Sequence, residues 1–293
     1  MIEGPRTEDV NAATRDLDAL PSDMLVALLL REQRAAFDAA EQAAPTIARA
    51  VDRIVTSLRA GGSLHYVGAG SSGRIAMLDA AECPPTFGTV PSVVQAHIAG
   101  GPGALLAAIE GAEDDGPAGE AAVRGAVVAG DAVIGLSASG GAAYVVAALH
   151  AARATGAFTI ALTGHGRSAL ARAAELAIVL DTGAEAIAGS TRLAAGTAQK
   201  LALNAISTAT MVRLGKVYDN LMIDLSATNA KLRRRASMLV RTLAGVEEER
   251  AHELLAQSGG SVKVAVVMGR RQVDAAAART LLEREEGFLR RLL

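Results

Sequence analysis

Ser63-Leu64-His65-Tyr66-Val67-Gly68-Ala69-Gly70-Ser71-Ser72-Gly73 is the stretch whose reading decides the fold. Its first half is a short apolar run of strand length; its second half is a turn of glycine and serine. Arg74-Ile75-Ala76-Met77-Leu78-Asp79-Ala80-Ala81-Glu82 follows and reads as a helix. A glycine-rich turn between a strand and a helix start is a ready anion site, because the backbone can approach closely and free N–H groups point at the ligand. Ser71 and Ser72 add hydroxyl donors. The glycine spacing also fits the dinucleotide fingerprint. That site, however, wants an acidic residue about 20 residues on to hold a ribose. Between Cys83 and Ile109 there is no Asp or Glu, and there is no Walker lysine. A phosphomonoester such as a sugar phosphate fits better. The plain alternative is a tight turn without a ligand.

Outward from this stretch, short apolar runs alternate with helical ones. Strands are expected at 63–67, 92–98, 131–136, 157–162 and 176–180, and helices at 74–82, 102–110, 117–126, 142–155 and 168–174. Such alternation implies an α/β fold, a parallel five-stranded sheet with helices on both faces. The strands read as continuous apolar runs, as Ala132-Val133-Ile134-Gly135-Leu136 does, which suits strands covered on both sides.

Upstream, residues 1 to about 20 are polar and irregular. Pro21-Ser22 starts a helix running to about Gln42, and Pro45 opens a second that ends at Gly61-Gly62. Downstream, long helices are expected over 191–214 and 227–243. The charged, alanine-rich remainder divides into three short helices, either a small appended domain or the last helices of the main one. The expected division is therefore 1–62, helices packing on the core or on a partner subunit; 63–243, a ligand-binding α/β domain; and 244–293, a small C-terminal helical domain.

Composition excludes several classes. The chain has 293 residues, 51% of them hydrophobic, so a sizeable core is available. Only 2% are aromatic and Trp is absent, so stacking on bases or sugar rings is not widespread. A net charge of -2 gives no general attraction to nucleic acid or to an anionic membrane. The lone Cys83 rules out an internal disulfide and suits a reducing compartment. No signal peptide or membrane-length apolar run is evident, so a cytoplasmic protein is expected. His65, His97, His150, His165 and His252 are scattered, with no metal-ligand spacing among them.

The strand at 131–136 runs into Ser137-Ala138-Ser139-Gly140-Gly141, a second Ser/Gly turn entering a helix. In a parallel sheet all strand C-termini lie on one edge, so two such turns can grip one phosphate from two sides. Two carboxylate features stand out. Glu82 precedes Cys83-Pro84-Pro85, which places it near the end of the helix that begins at the first turn. A carboxylate at a helix C-terminus is disfavoured in its ionised form and, where it is also partly buried, suits a general acid; the plain alternative is an exposed glutamate at a helix end. Glu110-Gly111-Ala112-Glu113-Asp114-Asp115 crowds four carboxylates together. One of these acts as a base, or they form a solvated acidic loop with Asp114 or Asp115 as a local cap.

These residues resemble the N-acetylmuramic acid 6-phosphate etherases, of the sugar isomerase (SIS) superfamily and similar to the glucokinase regulatory protein. The resemblance runs through Gly68-Ala69-Gly70-Ser71-Ser72-Gly73-Arg74 and Leu78-Asp79-Ala80-Ala81-Glu82-Cys83-Pro84-Pro85-Thr86-Phe87-Gly88. It continues in Glu110-Gly111-Ala112-Glu113-Asp114, Gly189-Ser190-Thr191-Arg192, Ala195-Gly196-Thr197-Ala198-Gln199-Lys200 and Gly215-Lys216-Val217-Tyr218. Asn220-Leu221-Met222, Ala227-Thr228-Asn229 and the opening Thr7-Glu8 with Asn11 also match.

The resemblance implies an SIS-type three-layer αβα sandwich. It also implies a lyase that cleaves the D-lactyl ether of N-acetylmuramic acid 6-phosphate in cell-wall sugar recycling, as a cytoplasmic homodimer without metal or redox cofactor. By matching positions, Glu82 is the proton donor and Glu113 the second acid/base. Ser71, Ser72, Ser137 and Ser139 hold the phosphate, and Gly70, Glu185, Ser190 and Thr191 are further substrate-binding positions, Glu185 from either subunit. A non-catalytic sugar-phosphate sensor of the same fold and a sugar-phosphate isomerase are the alternatives. The chain departs from the family pattern at Gly141-Ala142-Ala143, where Arg-Thr-Pro is usual. It departs also at Ala194 in place of a lysine, at Gly164-His165-Gly166-Arg167, and at Asp219 in place of a glycine.

Overall fold

The structure, a computed structural model, describes residues 4–225, 227 and 229–293; Met1, Ile2, Glu3, Ser226 and Thr228, the last within the Ala227-Thr228-Asn229 motif, lie outside the described residues. The chain divides into two compact units. One comprises the chain up to Ala80 with Ser92–Ser207, the other Ala81–Pro91 with Thr208–Leu293.

The first unit is built on a parallel five-stranded sheet of β1 (Leu64–Gly68), β2 (Val94–Ile98), β3 (Ala132–Leu136), β4 (Phe158–Thr163) and β5 (Leu176–Val179), in the order β2-β1-β3-β4-β5. All five expected strands are present, shifted by a residue or two. Every residue of β1 and β3 is buried; β3 reads as an unbroken apolar run, and β1 as one interrupted only by His65. Side chains alternate between faces. Val67, Val133 and Ala161 meet α6 (Ala143–Ala154) in one apolar cluster, with α5 (Gly116–Arg124) and α7 (Ala169–Ala173) contributing Val123 and Leu170. α1 (Ser22–Glu32), α2 (Arg34–Gln42) and α3 (Ala44–Arg59) come first in the chain, and α3 packs on β1, β3 and β5.

Three helical expectations need correction. The helix expected from Pro21-Ser22 to Gln42 is two, because Gln33, with ψ −14°, tightens one turn and starts a second helix. The helix expected at 102–110 is only a 3-10 turn, Pro102–Leu105. Gly100, Gly101 and Gly111 around it all take positive φ, and the backbone bonds there close over three residues, apart from the one from Ala107 N–H to the Gly103 carbonyl. The helix after the first glycine turn, α4, spans Gly70–Phe87. It therefore begins before Arg74 and does not stop at Glu82. Pro84 and Pro85 stand inside it, and Gly88 closes it by donating its N–H to the Pro84 carbonyl at 3.0 Å. A proline pair this close to a helix end removes only the donors that would have reached the carbonyls of Ala80 and Ala81.

α8 (Ala194–Arg213) leads out of the first unit. The second unit holds the short hairpin of β6 (Val217–Tyr218) and β7 (Leu221–Met222), then α9 (Ala230–Ala244), α10 (Glu248–Gln257), α11 (Val262–Arg271) and α12 (Ala275–Arg284). The three short helices expected after residue 244 are present, and α9 shares their core through Leu239, Val240, Leu254, Val266 and Leu282. Asp219, where a glycine was expected, sits in the hairpin turn with φ 53°, a conformation glycine adopts without strain. No helix among the described residues is long and apolar enough to cross a membrane.

Candidate active site

β1 and β3 are neighbours, with Gly68 in register with Leu136, so the two Ser/Gly turns leave the same sheet edge side by side. The strand order places this pair where the chain's winding reverses: β2 lies to one side of β1, and β3 to β5 to the other. Loops diverge at such a point, and the crevice between them is where ligands of open α/β sheets bind.

The first turn is shaped by close backbone packing. A Cβ on Gly73 would lie 2.6 Å from Ile98 Cγ1 and 2.8 Å from the Gly68 carbonyl oxygen, so α4 can lie against β1 and β2 only with glycine there. Gly70 opens the helix with φ 52°. Ser71 and Ser72 consequently sit in the first turn of α4, where helical amides have no intrahelical acceptor. Gly73 N–H reaches the Ala69 carbonyl at 3.1 Å, but among the described residues the amides of Ser71 and Ser72 meet no acceptor. In the second turn, Ser137 Oγ accepts from Gly140 N–H at 3.1 Å and Ser139 Oγ from Gly141 N–H at 3.2 Å. Both hydroxyl hydrogens remain available to a ligand.

α8 offers the opposite case. Its leading amides are occupied: Ala194 and Ala195 donate to the two carboxylate oxygens of buried Glu185, each at 2.9 Å, and Gly196 and Thr197 donate to the carbonyls of Thr191 and Leu193. Glu185 thus serves as a two-oxygen cap on a helix start, where negative charge is favoured. Ser190 and Thr191 form the turn just ahead of α8. The opening segment of the chain lies against that turn, with Gly189 N–H donating to the Thr7 carbonyl at 2.8 Å. Asn11 Nδ2 donates to the Ala184 carbonyl at 3.3 Å and to Glu32 Oε2 at 2.8 Å. The matching Thr7-Glu8, Asn11 and Gly189-Ser190-Thr191 motifs are therefore one local assembly.

Glu113 lies in the 3-10 turn Ala112–Asp114, on the connection that leaves β2, and is exposed. This turn packs against α6, the helix that follows the second serine turn. Asp115 caps α5 by accepting from Ala118 N–H at 2.9 Å, so the crowded carboxylates already have divided duties. Arg74 donates to the Ala107 carbonyl at 3.0 Å, fastening the connection that bears Glu113 to the early turns of α4. Glu82 lies near the other end of α4, exposed, in the part of the helix that belongs to the second unit.

Two buried groups escaped the reading of the sequence. Asp79 on α4 accepts from Tyr66 Oη at 2.9 Å and from Ser207 Oγ at 3.1 Å. Burial raises its pKa, and these two donors and the charge of Lys200 oppose the rise. The histidines are also less scattered than they look: His65 Nδ1 and His97 Nε2 lie 3.2 Å apart across β1 and β2, and His65 Nε2 is 3.4 Å from Asp131 Oδ2. Asp131 is itself held by the amides of Ser63 and Val128. Burial pulls the pKa of His65 down, partly offset by Asp131; burial and the neighbouring His65 pull His97 down to about 4. Only strand pairing reveals this group, because the two histidines belong to different strands.

Residues 46–153 match the glucokinase regulatory protein N-terminal SIS domain, and residues 116–209 match the SIS domain. Over 288 residues the chain is 48% identical to proteins named N-acetylmuramic acid 6-phosphate etherase from Salmonella typhimurium and Salmonella enteritidis, covering 98% of this chain and 97% of each relative. Among solved structures, a phosphoheptose isomerase from Francisella tularensis superposes with a TM-score of 0.52 at 20% identity, over 66% of this chain and 100% of its own. An E. coli CFT073 protein in complex with A5P superposes with a TM-score of 0.51 at 20% identity, over 69% and 97% of the two chains. What these two structures share with the chain is the fold.

Proposed function

We infer what this protein does from the premise that it belongs to the N-acetylmuramic acid 6-phosphate etherase family. It is an enzyme, a carbon–oxygen lyase, that splits the D-lactyl ether of N-acetylmuramic acid 6-phosphate into N-acetylglucosamine 6-phosphate and D-lactate. It works as a homodimer in the cytoplasm, in the recycling of cell-wall sugar.

An ether is a poor leaving group in direct hydrolysis, but the open-chain sugar carries an aldehyde at carbon 1 that makes the carbon 2 proton acidic. A base removes that proton, and the C–H electron pair becomes the double bond between carbons 2 and 3. The carbon 3–oxygen bond breaks as an acid protonates the departing lactate oxygen. Water then adds across the double bond, hydroxyl to carbon 3 and hydrogen to carbon 2. One base, one acid and a phosphate anchor suffice. Glu113 is the base and Glu82 the acid. The amides of Ser71 and Ser72 and the hydroxyls of Ser71, Ser72, Ser137 and Ser139 take the phosphate, with Gly70, Ser190 and Thr191 lining the sugar.

The observation that carries this reading is the contrast between two helix starts. α8 fills its own amides with Glu185, whereas among the described residues α4 leaves those of Ser71 and Ser72 without an acceptor, beside a second serine turn at the reversal point of the sheet. An open helix start of this kind favours a phosphate dianion. Incubation with N-acetylmuramic acid 6-phosphate in deuterated water tests the proposal. Release of D-lactate with deuterium at carbon 2 supports it. Binding without either marks a sensor, and exchange without lactate in the unaltered protein marks an isomerase. Glu113→Gln should lose both signals, by roughly 100-fold or more. Glu82→Gln should lose lactate release and keep exchange. Full lactate release by Glu82→Gln overturns its role.

A further inference from the structure

Glu82 is exposed and makes no hydrogen bond or ion pair among the described residues, so its carboxyl takes its direction from the backbone alone. Pro84 and Pro85 supply no amide to the carbonyls of Ala80 and Ala81, so the last turn of α4, which begins right after Glu82 and Cys83, is only weakly tied to the rest of the helix. What holds the end of α4 therefore aims Glu82. Within the second unit, Cys83 and Phe87 are buried anchors one turn apart, and the chain leaves the helix at Gly88 with φ 62°. A Cβ on Gly88 would stand 2.2 Å from the backbone oxygen of Asp224, so the two backbones are in direct contact.

Asp224 is in turn fixed from both sides. Its neighbours Ile223 and Leu225 are buried, and its carboxylate oxygen Oδ2 lies 2.8 Å from Lys263 Nζ and 3.1 Å from Lys216 Nζ. Lys263 comes from α11 and is buried; Lys216 leads into the β6–β7 hairpin and is partly exposed. Two ammonium groups on one carboxylate oxygen make a rigid joint, because moving Asp224 would leave a buried charge on Lys263 without its partner. Burial already lowers the Lys263 pKa, and Asp224 is the group that opposes the fall.

We propose that the Lys216–Asp224–Lys263 group is a positioning device for the reaction: by clamping Gly88 it fixes the last turn of α4 and so the aim of the Glu82 carboxyl at the leaving oxygen. The proposal rests on the assignment of Glu82 as the acid. In this proposal the three residues act through Glu82 and not on the substrate.

A device that aims only the acid slows the step that needs the acid. In Lys216→Met, which keeps the buried Lys263–Asp224 pair and so should fold, lactate release should fall about 10-fold with KM within twofold. Deuterium exchange at carbon 2 should stay within twofold, so that the ratio of exchange to release rises about 10-fold. Lys216→Arg should restore most of the release. Asp224→Asn should show the same split more strongly wherever it folds. Exchange and release falling in proportion in Lys216→Met, or neither falling, overturns the proposal. Glu82→Gln is run alongside. If it separates exchange from release and Lys216→Met does not, the clamp is wrong and the acid assignment stands. If Glu82→Gln releases lactate normally, the assignment fails and the clamp with it.

Discussion

Tyr66 Oη donates to Asp79 Oδ2 over 2.9 Å, joining β1 to α4 with both residues buried. α4 is the helix that carries Ser71 and Ser72 at one end and Glu82 towards the other, so this bond helps set the helix that the proposed chemistry depends on. Burial pushes the Asp79 pKa up and the tyrosine donor pulls it back, which means the bond is strongest when the carboxyl is ionised. Tyr66→Phe should therefore cost about 1–3 kcal/mol, the usual penalty for a buried acceptor that loses a donor. The sign with pH follows. The loss should grow as pH rises, because losing the tyrosine donor pushes the already raised Asp79 pKa further up and so weighs on the ionised form alone. Thermal unfolding of both proteins at several pH values checks this. A deficit that does not grow with pH shows that the bond does not favour the ionised carboxyl.

Glu185 accepts two amides at once, and both lie at the buried start of α8. Glu185→Ala leaves two buried donors without acceptors and removes a negative charge from a helix N-terminus. The expected loss is about 3 kcal/mol of stability in chemical denaturation. KM for the sugar phosphate, measured at a temperature where the variant is folded, should change little. A large rise in KM with little loss of stability would return Glu185 to direct contact with the sugar.

The sheet was legible because its chemistry is local. A strand covered on both faces is apolar along most of its length, and 64–67, 132–136 and 158–162 show that directly, with only His65 and Thr159 breaking the runs. The glycine turn was legible for the same reason, since Gly68, Gly70 and Gly73 each answer a close approach or a positive φ. The end of α4 is not legible from Pro84 and Pro85 alone. Proline breaks a helix by removing donors, and here only one turn remained to be tied. Over 102–110 the apolar residues suggest a helix, but the glycines around them hold the chain in a 3-10 turn. Leu106 there is 96% exposed, so the apolar pattern was not the mark of a buried face. The Arg74 fastening and the His65–His97 pair join residues more than 30 apart and leave no local pattern, and the Glu185 cap reaches nine residues on, across an irregular turn, with no standard capping spacing.

His97 should make the protein acid-sensitive. Its pKa falls from the ordinary 6.5 to about 4 in the folded chain, so the unfolded chain takes up a proton that the native one refuses between those values. Stability is unaffected by this group above pH 6.5 and drops as pH falls through the window. The drop reaches at most about 3 kcal/mol near pH 4, at 1.36 kcal/mol per unit. His97→Gln keeps a polar partner beside His65 and cannot charge. Its acid limb in a stability–pH profile should be flatter than that of the unaltered protein. Identical limbs would show that the pair does not resist protonation.

The serine turns make the last prediction, and Ser71 is the clean test. Ser137 is buried and its hydroxyl accepts from Gly140 N–H, so Ser137→Ala loosens the turn as well as removing a ligand donor. Ser71 Oγ makes no hydrogen bond among the described residues, and the amide of Ser71 survives substitution. Ser71→Ala should therefore raise KM about 10- to 100-fold, the equivalent of one hydrogen bond to a charged group, with little change in kcat or stability. Inorganic phosphate, which offers the same oxygens without the sugar, should inhibit the variant more weakly by the same factor. If KM rises while phosphate inhibition is unchanged, Ser71 touches the sugar and the phosphate is gripped elsewhere. If neither moves, the open start of α4 is not the anchor, and the contrast with α8 loses its functional meaning.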